Sequence, residues 1–297
     1  MLGLFPVPCG LATSDPVHLG EAVVAAWDHF LDHVDSTDLS QPTRLGLSGR
    51  ELCIHLGTWE DHHVLSALVA AARDGGGADP DRSDPDHRVL RGAHAGEDVR
   101  AALQRSRDDV ATWFATTTEP SELGRHRVNS SVGVLPLLSV VHAGCYELAV
   151  HALDLGMAAP ERLLDEGLAA LMDVTGALAS HSGVDLTVTA QTPNGGWSFT
   201  SDRDGWEVDR VASGSVQGVG VTGAAHDLLD ASAGRVHVPA LLLQRRLKVH
   251  DLTSFMRLAP LVNDVPGLPG GAALRAGVNG VAAVTGGVGR VLSRFRG

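Results

Sequence analysis

The chain has 297 residues, with 35 acidic and 23 basic side chains and a formal net charge of -12. A surface so short of cations argues against a free-standing nucleic-acid binder, because phosphate contacts need a basic face. With 44% hydrophobic and 20% charged residues, the composition is that of a globular chain, long enough for two domains of ordinary size. The sequence has no long uncharged apolar run, and residues 1–11 lack the basic flank of a signal peptide, so the cytoplasm is the expected location. Cys9, Cys53 and Cys145 are odd in number and far apart, which predicts free thiols in a reducing compartment. Histidine is the outlier: there are 15, and eleven of them fall between His18 and His151.

From the N-terminus, Asp15-Pro16 is an N-cap with proline at the first helical position, and Leu19, Val23, Trp27, Phe30, Leu31 and Val34 then recur at helical spacing. Ser48 and Glu51 form a capping box for a second helix, in which Leu52, His55, Leu56, Trp59 and His62 or His63 repeat until Asp74 and the glycines after it break the pattern. Residues 75–97, rich in Gly, Pro and Asp, read as a solvated loop. A third helix carries Val99, Leu103, Val110, Trp113 and Phe114, and a fourth runs over about 135–155. Four long helices predict a bundle over 1–157.

Residues 158–183 read as a linking helix, with Leu163, Leu164, Leu168, Leu171, Val174 and Leu178 on its apolar side. Beyond Ser182 the period changes to two. Leu186, Val188 and Ala190 alternate with polar residues, Pro193-Asn194-Gly195-Gly196 supplies a turn, and strands continue through Trp197, Trp206 and Val219. Short helices are expected near 224–230 and 251–258. The fold class is therefore α and α+β: a four-helix bundle followed by a smaller antiparallel-sheet α+β domain over 184–264. Residues 265–297 hold four arginines and no acid, a local charge of +4 that leaves -16 on the rest. They read as a basic, Gly/Ala-rich tail, and membrane contact through it is not expected.

Glu147 and His151 are four apart on the fourth helix, so both project from one face, which is otherwise apolar. A carboxylate and an imidazole there are costly to bury unless something satisfies them. His55, between Leu52 and Trp59 on the second helix, faces the same cost. One solution is a divalent metal held by His55, Glu147 and His151, with a coordination position left open. The other is a buried His–Glu hydrogen bond, with His55 satisfied by a backbone carbonyl. His62 and His63 read as either pocket mouth or solvated helix edge, His142, off the ligand face, as a residue that supports a ligand from behind or simply packs, and Cys53 and Cys145 as packed thiols. Asp154 either accepts the second N–H of His151 or is a helix cap or plainly exposed residue without that contact.

The segments Leu47-Ser48-Gly49-Arg50-Glu51-Leu52-Cys53-Ile54-His55-Leu56 and Glu147-Leu148-Ala149-Val150-His151-Ala152-Leu153-Asp154-Leu155 resemble the mycothiol-dependent maleylpyruvate isomerase family, whose N-terminal domain is a DinB-like bundle. The resemblance implies a divalent metal, zinc, on His55, Glu147 and His151. Residues 221–229 with Gly234-Arg235 are similar to the sterol-carrier-like domain attached to such bundles, so the resemblance covers roughly 15–260. It implies mycothiol as a cosubstrate, activated as a thiolate, and an arginine that holds the carboxylates of the substrate. Arg235 is taken as that catalytic arginine, with Arg245 and Arg246 as rivals. The implied function is a metal-dependent, low-molecular-weight-thiol-using cis-trans isomerase or S-transferase acting on a small electrophile such as a dicarboxylate. The alternative is a non-enzymatic ligand-binding protein with a structural or vestigial metal site.

Overall fold

The computed structural model describes residues 4–5, 7–13, 16–58, 65–75, 96, 98–116, 118–130, 133–258 and 261. Asp15, Trp59, His62, His63, most of the predicted 75–97 loop and the basic tail lie outside the described residues. The elements are α1 (Pro16–Val34), α2 (Gly49–Thr58), α3 (Leu65–Arg73), α4 (Val99–Ala115), α5 (Glu119–Leu123), β1 (Arg127–Ser130), β2 (Gly133–Pro136), α6 (Leu137–Asp154) and α7 (Glu161–His181). They continue with β3 (Leu186–Thr192), β4 (Gly195–Ser201), β5 (Trp206–Val211), β6 (Gly220–Gly223), α8 (Ala225–Ser232), α9 (Val238–Leu243), β7 (Leu247–His250) and α10 (Leu252–Phe255). None of the described helices is long and apolar enough to cross a membrane.

α1 buries the stripe read from the sequence, Leu19, Val23, Trp27, Phe30, Leu31 and Val34, against α4 and α6. The capping box at the start of α2 is formed reciprocally. Ser48 N–H donates to Glu51 Oε2 at 2.7 Å, and Glu51 N–H donates to Ser48 Oγ at 3.2 Å. α6 is buried on nearly every side, as a helix surrounded by others must be. A two-stranded antiparallel hairpin, β1–β2, leads directly into it, so Leu135 belongs to a strand and the fourth long helix starts at Leu137. The hairpin is too short for its period to stand out in the sequence.

α7 reaches both halves of the chain. Gly167 lies against α6, where an added Cβ would meet the Ala149 Cβ at 2.7 Å. Gly176 lies under the sheet, where an added Cβ would meet Trp206 Cδ1 at 2.8 Å and Phe199 Cβ at 3.2 Å. Small residues at these two points let the helix approach a helix on one side and a sheet on the other.

The five-stranded sheet has the order β5-β4-β3-β6-β7. Leu186, Val188 and Ala190 are buried along β3, and the β3–β4 hairpin turns through Pro193-Asn194, pairing Thr192 with Gly195. Three of the four pairings are antiparallel, but β6 runs parallel to β3, with Ala190 opposite Val221. The sheet expected to be antiparallel is therefore mixed at that one junction, because the chain between β5 and β6 crosses to the far edge of the hairpin instead of turning back on β5. In this half of the chain two elements were not anticipated, α9 and β7, and β7 completes the sheet beside β6.

Candidate metal centre

His55 comes from α2, and Glu147 and His151 from one face of α6. One ligand atom from each lies within 4.8 Å of the other two, and no other such group of three His, Cys, Asp or Glu residues occurs among the described residues. His151 Nε2 is 3.2 Å from Glu147 Oε2. Two donors bound tetrahedrally to zinc at about 2.05 Å lie roughly 3.3 Å apart, so this pair already has the spacing that a metal requires. The His55 and His151 rings meet edge to face with centroids 5.6 Å apart. His151 is buried, while the Glu147 side chain keeps about a third of its surface exposed, 34%, so the centre opens towards solvent on the carboxylate side.

The second imidazole nitrogen of His151 is occupied. Nδ1 lies 3.0 Å from Asp154 Oδ2, and the Asp154 side chain has no exposed surface. A carboxylate behind a ligating histidine fixes the ring and its tautomer, which leaves Nε2 for the metal. Of the two roles read for Asp154, the structure builds this one.

Arg235 Nε donates to Asp154 Oδ1 at 3.0 Å and Nη2 to Oδ2 at 3.1 Å, while Nη1 donates to the Ala233 carbonyl at 3.0 Å. Arg44, which nothing in the sequence marked, reaches the same carboxylate: Nη2 lies 3.2 Å from Asp154 Oδ1. Arg44 also grips Asp230 through both Nη atoms, at 2.8 and 2.9 Å. Asp230 was equally invisible to sequence reasoning, since an aspartate near the end of a short helix has no distinguishing spacing.

These contacts set the charges. Burial alone would raise the Glu147 carboxyl, but its hydrogen bond to His151 and the charges of His151, His55 and Arg235 hold it below the usual carboxylate value. Burial alone would lower the His151 imidazole, and Asp154 and Glu147 together outweigh it and raise it above the usual histidine value. Asp154 is held low by His151 and Arg235 against its own burial.

The remaining candidates lie elsewhere. His142 Nε2 is 3.6 Å from the Glu166 carboxylate, facing α7 and away from the centre. Cys53 and Cys145 are fully buried thiols, as is Cys9. Burial pushes Cys9 up to about 11 and Cys53 up to about 12, and raises Cys145 as well, so none is a ready thiolate. Arg245 is exposed in a turn with φ of 60°. Arg246, also exposed, is paired with Asp227.

No protein-family model matches the chain, and no curated protein matches it. Two solved structures do. The crystal structure of the mycothiol-dependent maleylpyruvate isomerase matches at 18% identity and a TM-score of 0.46, covering 74% of this chain and 88% of that one. A histidine-to-alanine mutant of the same enzyme matches at 17% identity with the same score and coverage. The isomerase family named by these structures is the one that the sequence motifs resemble.

Proposed function

We propose that this protein is a metal-dependent enzyme that uses a low-molecular-weight thiol, working as a maleylpyruvate isomerase-like cis-trans isomerase or a thiol S-transferase. The observation that carries this reading is the convergence of His55, Glu147 and His151 within 4.8 Å, backed by Asp154 behind His151. Two imidazoles and one carboxylate suit zinc, and three protein ligands leave a position open for an exchangeable ligand. A divalent ion held there favours the thiolate form of a bound thiol at neutral pH.

The chain's own residues supply the rest. The buried cysteines leave the thiol to come from outside, and mycothiol is the thiol we assign. Addition of its sulfur to a conjugated cis double bond turns that bond into a single bond. Rotation and expulsion of the thiolate then give the trans isomer, whereas protonation of the enolate carbon left by the addition, in place of expulsion, keeps the new C–S bond and completes S-transfer. Arg235, whose charge is felt at both Glu147 and Asp154, is the residue we assign to the carboxylates of a dicarboxylate electrophile, through the hydrogens it does not give to Asp154. Residues 1–157 are assigned as the metal-binding domain and 184–264 as a second domain, with the cytoplasm as the compartment.

The test is metal analysis of the purified full chain, followed by Co(II) substitution and titration with mycothiol. We expect one divalent ion per chain, a new sulfur-to-cobalt absorption band on adding the thiol, and loss of both in His55→Ala. A protein without a stoichiometric ion, or a His55→Ala variant that still holds it, overturns the assignment.

A further inference from the structure

Around Asp154 the structure assembles two carboxylates and two guanidiniums from four separate elements. Asp154 ends α6, Asp230 lies in the last turn of α8, Arg235 follows α8, and Arg44 lies in the loop before α2. Each cation is held in place by more than its ionic partner. The Arg44 loop is tied to the start of α2 by Thr43 N–H to Leu47 O at 2.6 Å, Gly49 N–H to Gln41 O at 3.0 Å and Arg50 N–H to Leu39 O at 2.8 Å. Arg235 N–H donates to Asp230 O at 2.8 Å, and its Nη1 donates to Ala233 O. The formal charges of the four groups cancel, which is what allows a carboxylate with no exposed surface to remain beneath His151.

We infer that Arg44 and Arg235 are positioning residues for the candidate metal centre: through Asp154 they hold the His151 ring so that Nε2 faces Glu147 and His55. This rests on the assignment of His55, Glu147 and His151 as metal ligands. Two ligands lie on α6, the third lies on α2, and Arg44 stands at the entry to α2, so one set of ion pairs fixes the His151 ring and also ties the entry of α2 to the end of α6. Because Arg235 and Asp230 belong to the chain beyond residue 224, the ligand set of the first half depends on residues of the second. Arg44 must be an arginine for this role, since it meets Asp154 and Asp230 at once through a planar fork that an ammonium does not have.

The experiment uses the full-length chain carrying Arg44→Met, Arg235→Met, Arg44→Lys or Asp154→Ala, with two readouts besides activity. The first is Co(II) affinity, measured by competition with a chromophoric chelator. We expect it to fall roughly 10- to 100-fold in Asp154→Ala and in each methionine variant, the range found when the residue behind a metal-ligating histidine is lost. Arg44→Lys, which keeps the charge, should recover only part. The second readout is the downfield proton resonance of the His151 imidazole N–H, which is protected from exchange by Asp154. It should be present in the wild type, lost in Asp154→Ala and broadened in Arg235→Met. Folded methionine variants with wild-type affinity and an unchanged resonance overturn the inference, as does a loss in thermal stability with both readouts unmoved. If the wild type binds no Co(II), the metal assignment fails, and the resonance alone then decides the positioning. If a methionine variant does not fold, Arg44→Lys decides by the same two measurements.

Discussion

Replacing Asp173 by alanine or by asparagine separates the contacts of this side chain from its charge. Asp173 lies in the middle of α7 with no exposed surface, and its Oδ1 accepts the Leu11 N–H at 3.0 Å and the Trp206 Nε1–H at 2.8 Å. It thus ties the N-terminal segment and β5 to the helix that both halves share. Oδ2 is buried without a hydrogen bond. Alanine takes the acceptor from the buried Trp206 indole N–H, and at about 1–3 kcal/mol for an orphaned buried donor the loss is about 1–3 kcal/mol. Asparagine keeps one acceptor oxygen and cannot ionise. Burial raises the Asp173 carboxyl above its usual value, against the influence of Ser139, Trp206, Leu11 and His142. The ionised form is therefore penalised in the folded state. That penalty is absent below the unfolded-state pKa, near 3.8, grows as pH rises towards the raised folded-state pKa and is constant above it. The asparagine variant escapes it, so its stability should improve relative to wild type as pH increases and then level off. Urea unfolding followed by tryptophan fluorescence, repeated from below the ordinary carboxylate pKa of 3.8 up to about pH 8, measures both effects. An asparagine variant whose difference from wild type is flat or shrinks with pH would refute the charge reasoning, and an alanine variant as stable as wild type would refute the contact reasoning.

Other outcomes follow from the same structure. Cys9, Cys53 and Cys145 are buried with raised pKa values, so a thiol reagent at pH 8 should label almost none of them until urea unfolds the chain. Any sulfur-to-cobalt band in the native protein should then come from added thiol. Gly167→Val forces apart α6 and α7 where Gly167 faces Ala149 and should cost about 1–3 kcal/mol by thermal or urea unfolding. Ser48→Ala removes one arm of the capping box and should cost about 1 kcal/mol, with a measurable loss of Co(II) affinity because α2 carries His55. Metal loading should weaken on acidification from a pH above the ordinary histidine range, because Glu147 and Asp154 raise the His151 pKa and a proton competes for Nε2. Co(II) titrations across pH check this, and an affinity that falls only through the ordinary carboxylate range would contradict it.

The donor set was legible in the sequence because its parts are local. Glu147 and His151 share a face through helical spacing alone, and His55 follows a capping box whose reciprocal hydrogen bonds the structure contains. Cys53 and Cys145 were readable as packed thiols for the same reason, their offset of two from the ligand positions. The role of Asp154 was only half legible: a spacing of three allows the contact with His151, but which of two roles it takes depends on what else surrounds it.

Periodicity within single elements was enough to mark the helical first half, the alternating strands of the second and the residues of the candidate metal centre. Tertiary structure alone decided the parallel β3–β6 junction, the added strand β7, and the meeting of Arg44, Asp154, Asp230 and Arg235. Arg44 and Asp230 are 186 positions apart, and no local pattern encodes such a contact. It exists because burying Asp154 behind His151 demands compensating charge, and the fold brings two arginines to the one place where that demand arises.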